Sequence, residues 1–212
     1  MVAVVGTGTD IGKTWVAARL LTGLRAAGLG VAARKPAQSF DPDDDPAGLD
    51  AAVLGAATGE PVDEVCPPHR WYETAMAPPM AAESLGRPPF AIDDLMAELV
   101  WPDRAVDVGL VETAGGVRSP LAADGDCLDY CAALAPDLMV LVADAGLGTI
   151  NAVRLSAEAM APLGIATVVV LNRFDASAVL QLRNLEWLRD RDGRQVLTAP
   201  GGDAALMDIV RG

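Results

Sequence analysis

Histidine is almost missing from this sequence. His69 is the only one in 212 residues, which excludes multi-histidine metal centres. It also leaves any histidine-based triad one candidate, in the run Pro67-Pro68-His69, and there it reads as structural or incidental. Cysteine is nearly as scarce: Cys66, Cys127 and Cys131 form no paired framework and no CxxC unit. Cys127 and Cys131 lie one helical turn apart and read as small apolar residues of a helix rather than as metal or redox groups. No apolar run approaches the roughly 20 residues of a membrane span; the longest strand-like run is Leu138 to Ala143. Basic residues are outnumbered by acidic ones, 16 to 29, for a net charge of -13. Such a balance argues against nucleic acid and anionic lipid surfaces as partners. Met1 leads straight into an apolar strand with no basic flank and no small-residue cleavage site, so a cytoplasmic location is expected.

The scarcest cation is lysine. Lys13 and Lys35 stand against fourteen arginines. Arginine replaces lysine readily on a solvated face, but not where a compact ammonium must fit against phosphate oxygens or a reacting group. Both lysines therefore become candidates for chemistry.

What is present is apolar content of 51%, enough for a sizeable core, arranged in a strand–helix rhythm. Val2 to Val5, Val31 to Arg34, Val106 to Val111, Leu138 to Ala143 and Ala166 to Leu171 read as strands. Lys13 to about Gly28, Leu49 to Ala57, Met80 to Leu85, Cys127 to Ala135, Ile150 to Met160 and Ser177 to Arg189 read as helices. The stretch Phe40-Asp41-Pro42-Asp43-Asp44-Asp45-Pro46 reads as a solvated acidic loop. The alternation predicts one α/β domain over residues 1–212, with a mostly parallel sheet and helices on both faces.

Between the first strand and the first helix lies Gly6-Thr7-Gly8-Thr9-Asp10-Ile11-Gly12-Lys13-Thr14. Glycines followed by a helix N-terminus leave backbone N–H groups free for phosphate oxygens. Lys13 can reach the β- and γ-phosphates, and the Thr14 hydroxyl can coordinate Mg²⁺. Five residues separate Gly6 from Gly12, one more than in the usual phosphate loop. Partitioning and metal-delivery ATPases of related style carry an extra lysine early in the loop, and none occurs here. Glu112 closes a strand just before Thr113-Ala114-Gly115-Gly116, where a metal-side carboxylate is expected. Asp50 differs from Asp41, Asp43, Asp44 and Asp45 in opening an apolar helix. Lys35, at the end of the second strand, faces the same crevice and suits the transferred phosphoryl group or an anionic intermediate.

In order along the chain, these pieces are the phosphate loop, Lys35-Pro36 with Ser39, Asp50, Met76-Ala77-Pro78, Glu112 to Gly116, Gly146 to Asn151, and Asn172. Together they resemble the dethiobiotin synthetases, a family of P-loop NTPase-like fold. The resemblance implies a ligase that joins carbon dioxide to diaminopelargonic acid with ATP and Mg²⁺, as a cytoplasmic homodimer with the substrate at the subunit interface. It implies Mg²⁺ on Thr14, Asp50 and Glu112, and the carbamate gripped by Thr9, Lys35 and Ser39. The nucleotide falls to Asp10, Ile11, Gly12, Lys13, Thr14 and Trp15, to Glu112, Thr113, Ala114 and Gly115, and to Asn172 and Arg173 with Pro200, Gly201 and Gly202. The substrate carboxylate falls to Gly148, Thr149, Ile150 and Asn151 at a helix N-terminus, which the helix dipole favours. Phe40, Thr113 and Arg173 depart from the family's usual residues, and no tyrosine follows Tyr130. Another amide-forming P-loop ligase, or a regulatory P-loop ATPase acting through a partner, stands as the alternative.

Overall fold

The computed structural model describes residues 1–212. Numbered in chain order, the strands are β1 (Val2–Gly6), β2 (Val31–Arg34), β3 (Gln38–Ser39), β4 (Trp71–Tyr72), β5 (Val108–Glu112), β6 (Pro120–Ala122), β7 (Gly125–Asp126), β8 (Leu138–Asp144), β9 (Ala166–Asn172) and β10 (Val196–Ala199). The helices are α1 (Lys13–Ala26), α2 (Asp50–Thr58), α3 (Val62–Val65), α4 (Pro78–Ser84), α5 (Ile92–Ala97), α6 (Cys127–Leu134), α7 (Thr149–Met160), α8 (Val179–Glu186) and α9 (Asp203–Arg211).

Six strands form one sheet in the order β10-β9-β8-β1-β5-β2, and every neighbouring pair is parallel. Parallel strands covered on both faces need apolar residues at nearly every position, and β1 and β8 supply them. The period of two then sorts side chains between two cores. Val2 and Val4 pack beneath α1, α2 and α9, whereas Ala3 and Val5 pack with Cys131 of α6, Val153 of α7 and Leu185 of α8. All three cysteines are buried and free. No helix is long and apolar enough to cross a membrane.

The anticipated parallel sheet with helices on both faces is observed, and several boundaries move. The strand expected over Val106–Val111 begins at Val108 and includes Glu112. The helix expected at Met80 begins at Pro78, where a missing N–H costs a helix nothing. The helix expected to run to Arg189 stops at Glu186 and widens into a π-turn over Trp187–Arg191. The sequence reading omits the short elements β3, β4, β6, β7, α3 and α5, and also β10 and α9.

The carboxyl ends of β1, β2 and β5 open on one side, and β3 with β4 forms a two-residue ladder beside them. That edge carries the functional cleft.

Candidate functional site

A cleft of about 940 Å³ lies over the carboxyl edge of the sheet, the upper end of the range for small-molecule sites. Its floor is the loop between β1 and α1. Gly12 caps α1 with φ +86, a left-handed conformation that glycine adopts without steric penalty. A Cβ there would also lie 2.1 Å from the Asn172 amide nitrogen, so space and conformation both demand glycine. No side chain caps α1, and its first N–H groups are left for an anion. Gly115 repeats the logic on the facing turn: φ is +67 and a Cβ would sit 2.5 Å from Ser119 Oγ.

Four charged side chains converge where loop, β2, α2 and β5 meet. The Thr14 hydroxyl lies 2.6 Å from Asp50 Oδ1 and 2.8 Å from Glu112 Oε1. One hydroxyl proton can serve only one of them at a time. The Lys35 ammonium bridges the same pair, 2.6 Å from Asp50 Oδ2 and 2.8 Å from Glu112 Oε1, and also donates to the Thr113 carbonyl at 3.1 Å. Lys13 Nζ donates to the Gly8 carbonyl at 3.1 Å. Lys35 and Glu112 are essentially sealed from water.

Burial drives the electrostatics. It lowers the Lys13 ammonium, and the nearby charge of Lys35 lowers it further. It acts to lower Lys35 too, but Asp50 and then Glu112 more than offset it, and Lys35 ends above an ordinary lysine. Burial raises the Glu112 carboxyl against the pull of Lys35. It works the same way on Asp50, where Lys35 prevails and holds the carboxyl below its ordinary value.

The donor set fits Mg²⁺. Two carboxylates and a hydroxyl are hard oxygen ligands, and Glu112 Oε2 is buried without a partner. An orphaned buried acceptor costs about 1–3 kcal/mol, a cost that a bound cation would remove. No cluster of three His, Cys, Asp or Glu residues forms a dedicated cage. Mg²⁺ ordinarily keeps waters and phosphate oxygens alongside one or two carboxylates.

Of the residues singled out in the sequence, Thr9, Asp10, Gly12, Lys13, Thr14, Trp15, Lys35, Ser39, Asp50, Glu112, Ala114, Gly115 and Arg173 line this one cleft. Asn172 lies just behind it, its amide donating to the Ile11 carbonyl at 2.9 Å. Arg173 ties the loop to the sheet, bonding the Asp10 carbonyl and, at 3.2 Å, Asp144. The Thr113 side chain turns inward to the Val4 carbonyl, so only its backbone serves the site. Gly148, Thr149, Ile150 and Asn151 are not in the wall, and neither are Pro200, Gly201 and Gly202. The first group begins α7 and the second precedes α9, each beyond the cleft of the same chain. The acidic loop is exposed as expected, but Asp41, Asp44 and Asp45 also form one wall of the cleft. Gln38, Ser119 and Pro120 line it too. The sequence carries no signal for them, because each is an ordinary polar or turn residue brought in by β3 or β6.

The family model described as an AAA domain matches residues 1–199. The ATP-dependent dethiobiotin synthetase BioD of Caulobacter vibrioides (strain NA1000 / CB15N) is 40% identical over 178 residues, covering 82% of this chain and 80% of that protein. The chain belongs to the dethiobiotin synthetase family. That family consists of ATP-dependent ligases, and its reach is wide. The dethiobiotin synthetase of Haloferax mediterranei (strain ATCC 33500 / DSM 1411 / JCM 8866 / NBRC 14739 / NCIMB 2177 / R-4) is 36% identical over 201 residues, 93% of this chain and 82% of its own length. Among solved structures, chloroplast FtsY from Physcomitrella patens aligns with a TM-score of 0.53 at 15% identity. The alignment takes in all of this chain, which spans 64% of that one. At such identity the likeness shows the P-loop α/β fold alone.

Proposed function

We propose that this dethiobiotin synthetase family member joins carbon dioxide to diaminopelargonic acid, closing the ureido ring of dethiobiotin and releasing ADP and phosphate. The observation that carries this reading is the convergence of Thr14, Lys35, Asp50 and Glu112 at the phosphate loop. One amine of the substrate adds to carbon dioxide and loses a proton to give a carbamate. A carbamate oxygen attacks the γ-phosphorus as the bond to ADP breaks. The second amine then attacks the carbamate carbon and expels phosphate. No step needs a covalent bond to the protein, so the work is positioning and stabilisation of charge.

The α1 N-terminus and Lys13 hold the phosphates, and Lys35 faces the carbamate and the moving phosphoryl group with Thr9 and Ser39. Mg²⁺, held by Thr14, Asp50 and Glu112, supplies neutralisation of phosphate charge. Asn172 and Arg173 stand at the base end of the nucleotide. Gly148 to Asn151 take the substrate carboxylate only if a second copy presents them over the cleft, so the reading carries a homodimer with it, and a cytoplasmic setting.

Product analysis after mixing the protein with ATP, Mg²⁺, bicarbonate and diaminopelargonate tests this. Dethiobiotin in step with ADP is expected. ATP hydrolysis without dethiobiotin would remove the ligase reading in favour of a regulatory ATPase.

A further inference from the structure

Gln38 stands on β3 next to Ser39, and β3 pairs with Trp71–Tyr72. It is only 3% exposed, yet it belongs to the wall of the cleft. Its Oε1 accepts the Ala51 N–H at 3.1 Å, in the first turn of α2 directly after Asp50. That bond settles the orientation of the amide, because a backbone N–H requires the oxygen and not the nitrogen. Nε2 is therefore the uncommitted end of the amide, and it finds no acceptor anywhere in the protein. The neighbouring Ser39 Oγ is equally buried and equally without a partner. Lys35, three residues earlier, is already committed to two carboxylates and a carbonyl.

Buried polar groups are nearly always hydrogen-bonded, and the exceptions call for a ligand or an ordered water. Here two exceptions are adjacent in sequence and share one cleft. A hydroxyl can donate or accept, but an amide nitrogen can only donate. The missing partner of Gln38 is thus an acceptor, and an amide donor and a hydroxyl in the wall that also carries the Lys35 ammonium suit an anion with two acceptor oxygens. In the proposed reaction the carbamate is that group.

We propose that Gln38 is a further substrate-binding residue, its Nε2 donating to an oxygen of the substrate carbamate beside Ser39. This rests on the ligase reading. The same side chain holds the first turn of α2, so the residue that grips the carbamate also fixes the base of Asp50.

Two variants test the assignment. Gln38→Glu keeps an oxygen for Ala51 N–H and removes the donor, and Gln38→Met removes all polarity without adding charge. Thermal melting, calorimetric ATP affinity and kcat/KM for diaminopelargonate are compared with the wild type. Both variants should lose on the order of 10- to 100-fold in kcat/KM for diaminopelargonate, the weight of a hydrogen bond to a charged group. Gln38→Glu should lose more, through repulsion, and should melt below the wild type because its carboxylate is buried without a partner, while binding ATP as the wild type does. With carbon-13 bicarbonate and diaminopelargonate but no nucleotide, a protein-bound carbamate resonance should be present in the wild type and weakened in both variants. Wild-type kcat/KM in both would overturn the assignment and make Nε2 the site of a structural water. A parallel loss of ATP affinity in Gln38→Glu would also overturn it, reducing Gln38 to a support for α2. Failure of the wild type itself to make dethiobiotin would remove the ligase reading and the carbamate assignment together.

Discussion

Lys35 holds two jobs in one atom. Its ammonium is the only cation between Asp50 and Glu112, with contacts of 2.6 and 2.8 Å. Removing one partner of a buried ion pair leaves the other charge uncompensated, at a cost of about 3–5 kcal/mol. Lys35→Ala should therefore melt well below the wild type, and added Mg²⁺ should recover more of that loss than it adds to the wild type. Thermal melts with and without MgCl₂ check this. Lys35→Arg should rescue turnover poorly, because a planar fork does not fit a slot shaped to a compact ammonium. Lys13 differs: its sole hydrogen-bond partner in the protein is the Gly8 carbonyl. Lys13→Ala should weaken ATP affinity in calorimetry and leave the melting midpoint nearly unmoved. The importance of both lysines is legible in the sequence from their rarity. Their partners are not, since Lys35 meets Glu112 across 77 residues of chain. Gln38 is invisible there for the same reason: its meaning lies in the acceptor that it lacks.

Among the elements, α2 separates one aspartate from its neighbours. Asp50 opens that helix and reaches Thr14, whereas Asp43, Asp44 and Asp45 stay exposed in the loop before it. Asp50→Asn should weaken Mg²⁺-dependent turnover strongly. Neutralising the three loop aspartates should cost little, because exposed charges act mainly through a screened field. Mg²⁺ titrations of turnover rank the two. A different joint holds α5. Arg70 forks onto Glu98 at 2.8 and 2.7 Å, and His69 approaches it at 3.1 Å. Burial acts to raise the Glu98 carboxyl, but Arg70 and His69 together hold it below its ordinary 4.5. A depressed carboxylate stabilises the fold above its ordinary pKa and loses that contribution as pH falls through the folded value. The melting gap between wild type and Glu98→Gln should thus be widest near neutrality and shrink on acidification below about pH 4.5, as thermal melts across pH would show. His69, structural or incidental by sequence, is a structural contact of this joint. Periodicity exposes the long strands, but not β10 and α9. Four residues after a glycine turn, then a short helix behind Pro200-Gly201-Gly202, offer too little pattern beside so strong a loop signal.

At the scale of the whole molecule, the parallel sheet and its two covered faces are plain in the strand–helix alternation, because the long strands are apolar nearly up to their carboxyl ends. The placement of α7 is not. Its N-terminal residues Gly148 to Asn151 lie outside the cleft of their own chain. If two copies share each site, mixing inactive Lys35→Ala with inactive Asn151→Ala should restore activity. Random exchange in a two-fold dimer leaves about a quarter of the sites intact, and turnover after subunit exchange measures it. No recovery would place substrate binding within one chain. The sheet order has a further bearing on how the protein comes into being. β1 is made before β2 to β10, yet it ends in the middle of the sheet, between β5 and β8. Val2 must wait for Leu110 on one side and Leu138 on the other. Pairings of such long separation form slowly, and a domain of this size exposes its apolar surface meanwhile. Until β8 is synthesised, one flank of β1 stays unpaired. The loop that follows β1 is therefore framed on both sides only after β8 has joined.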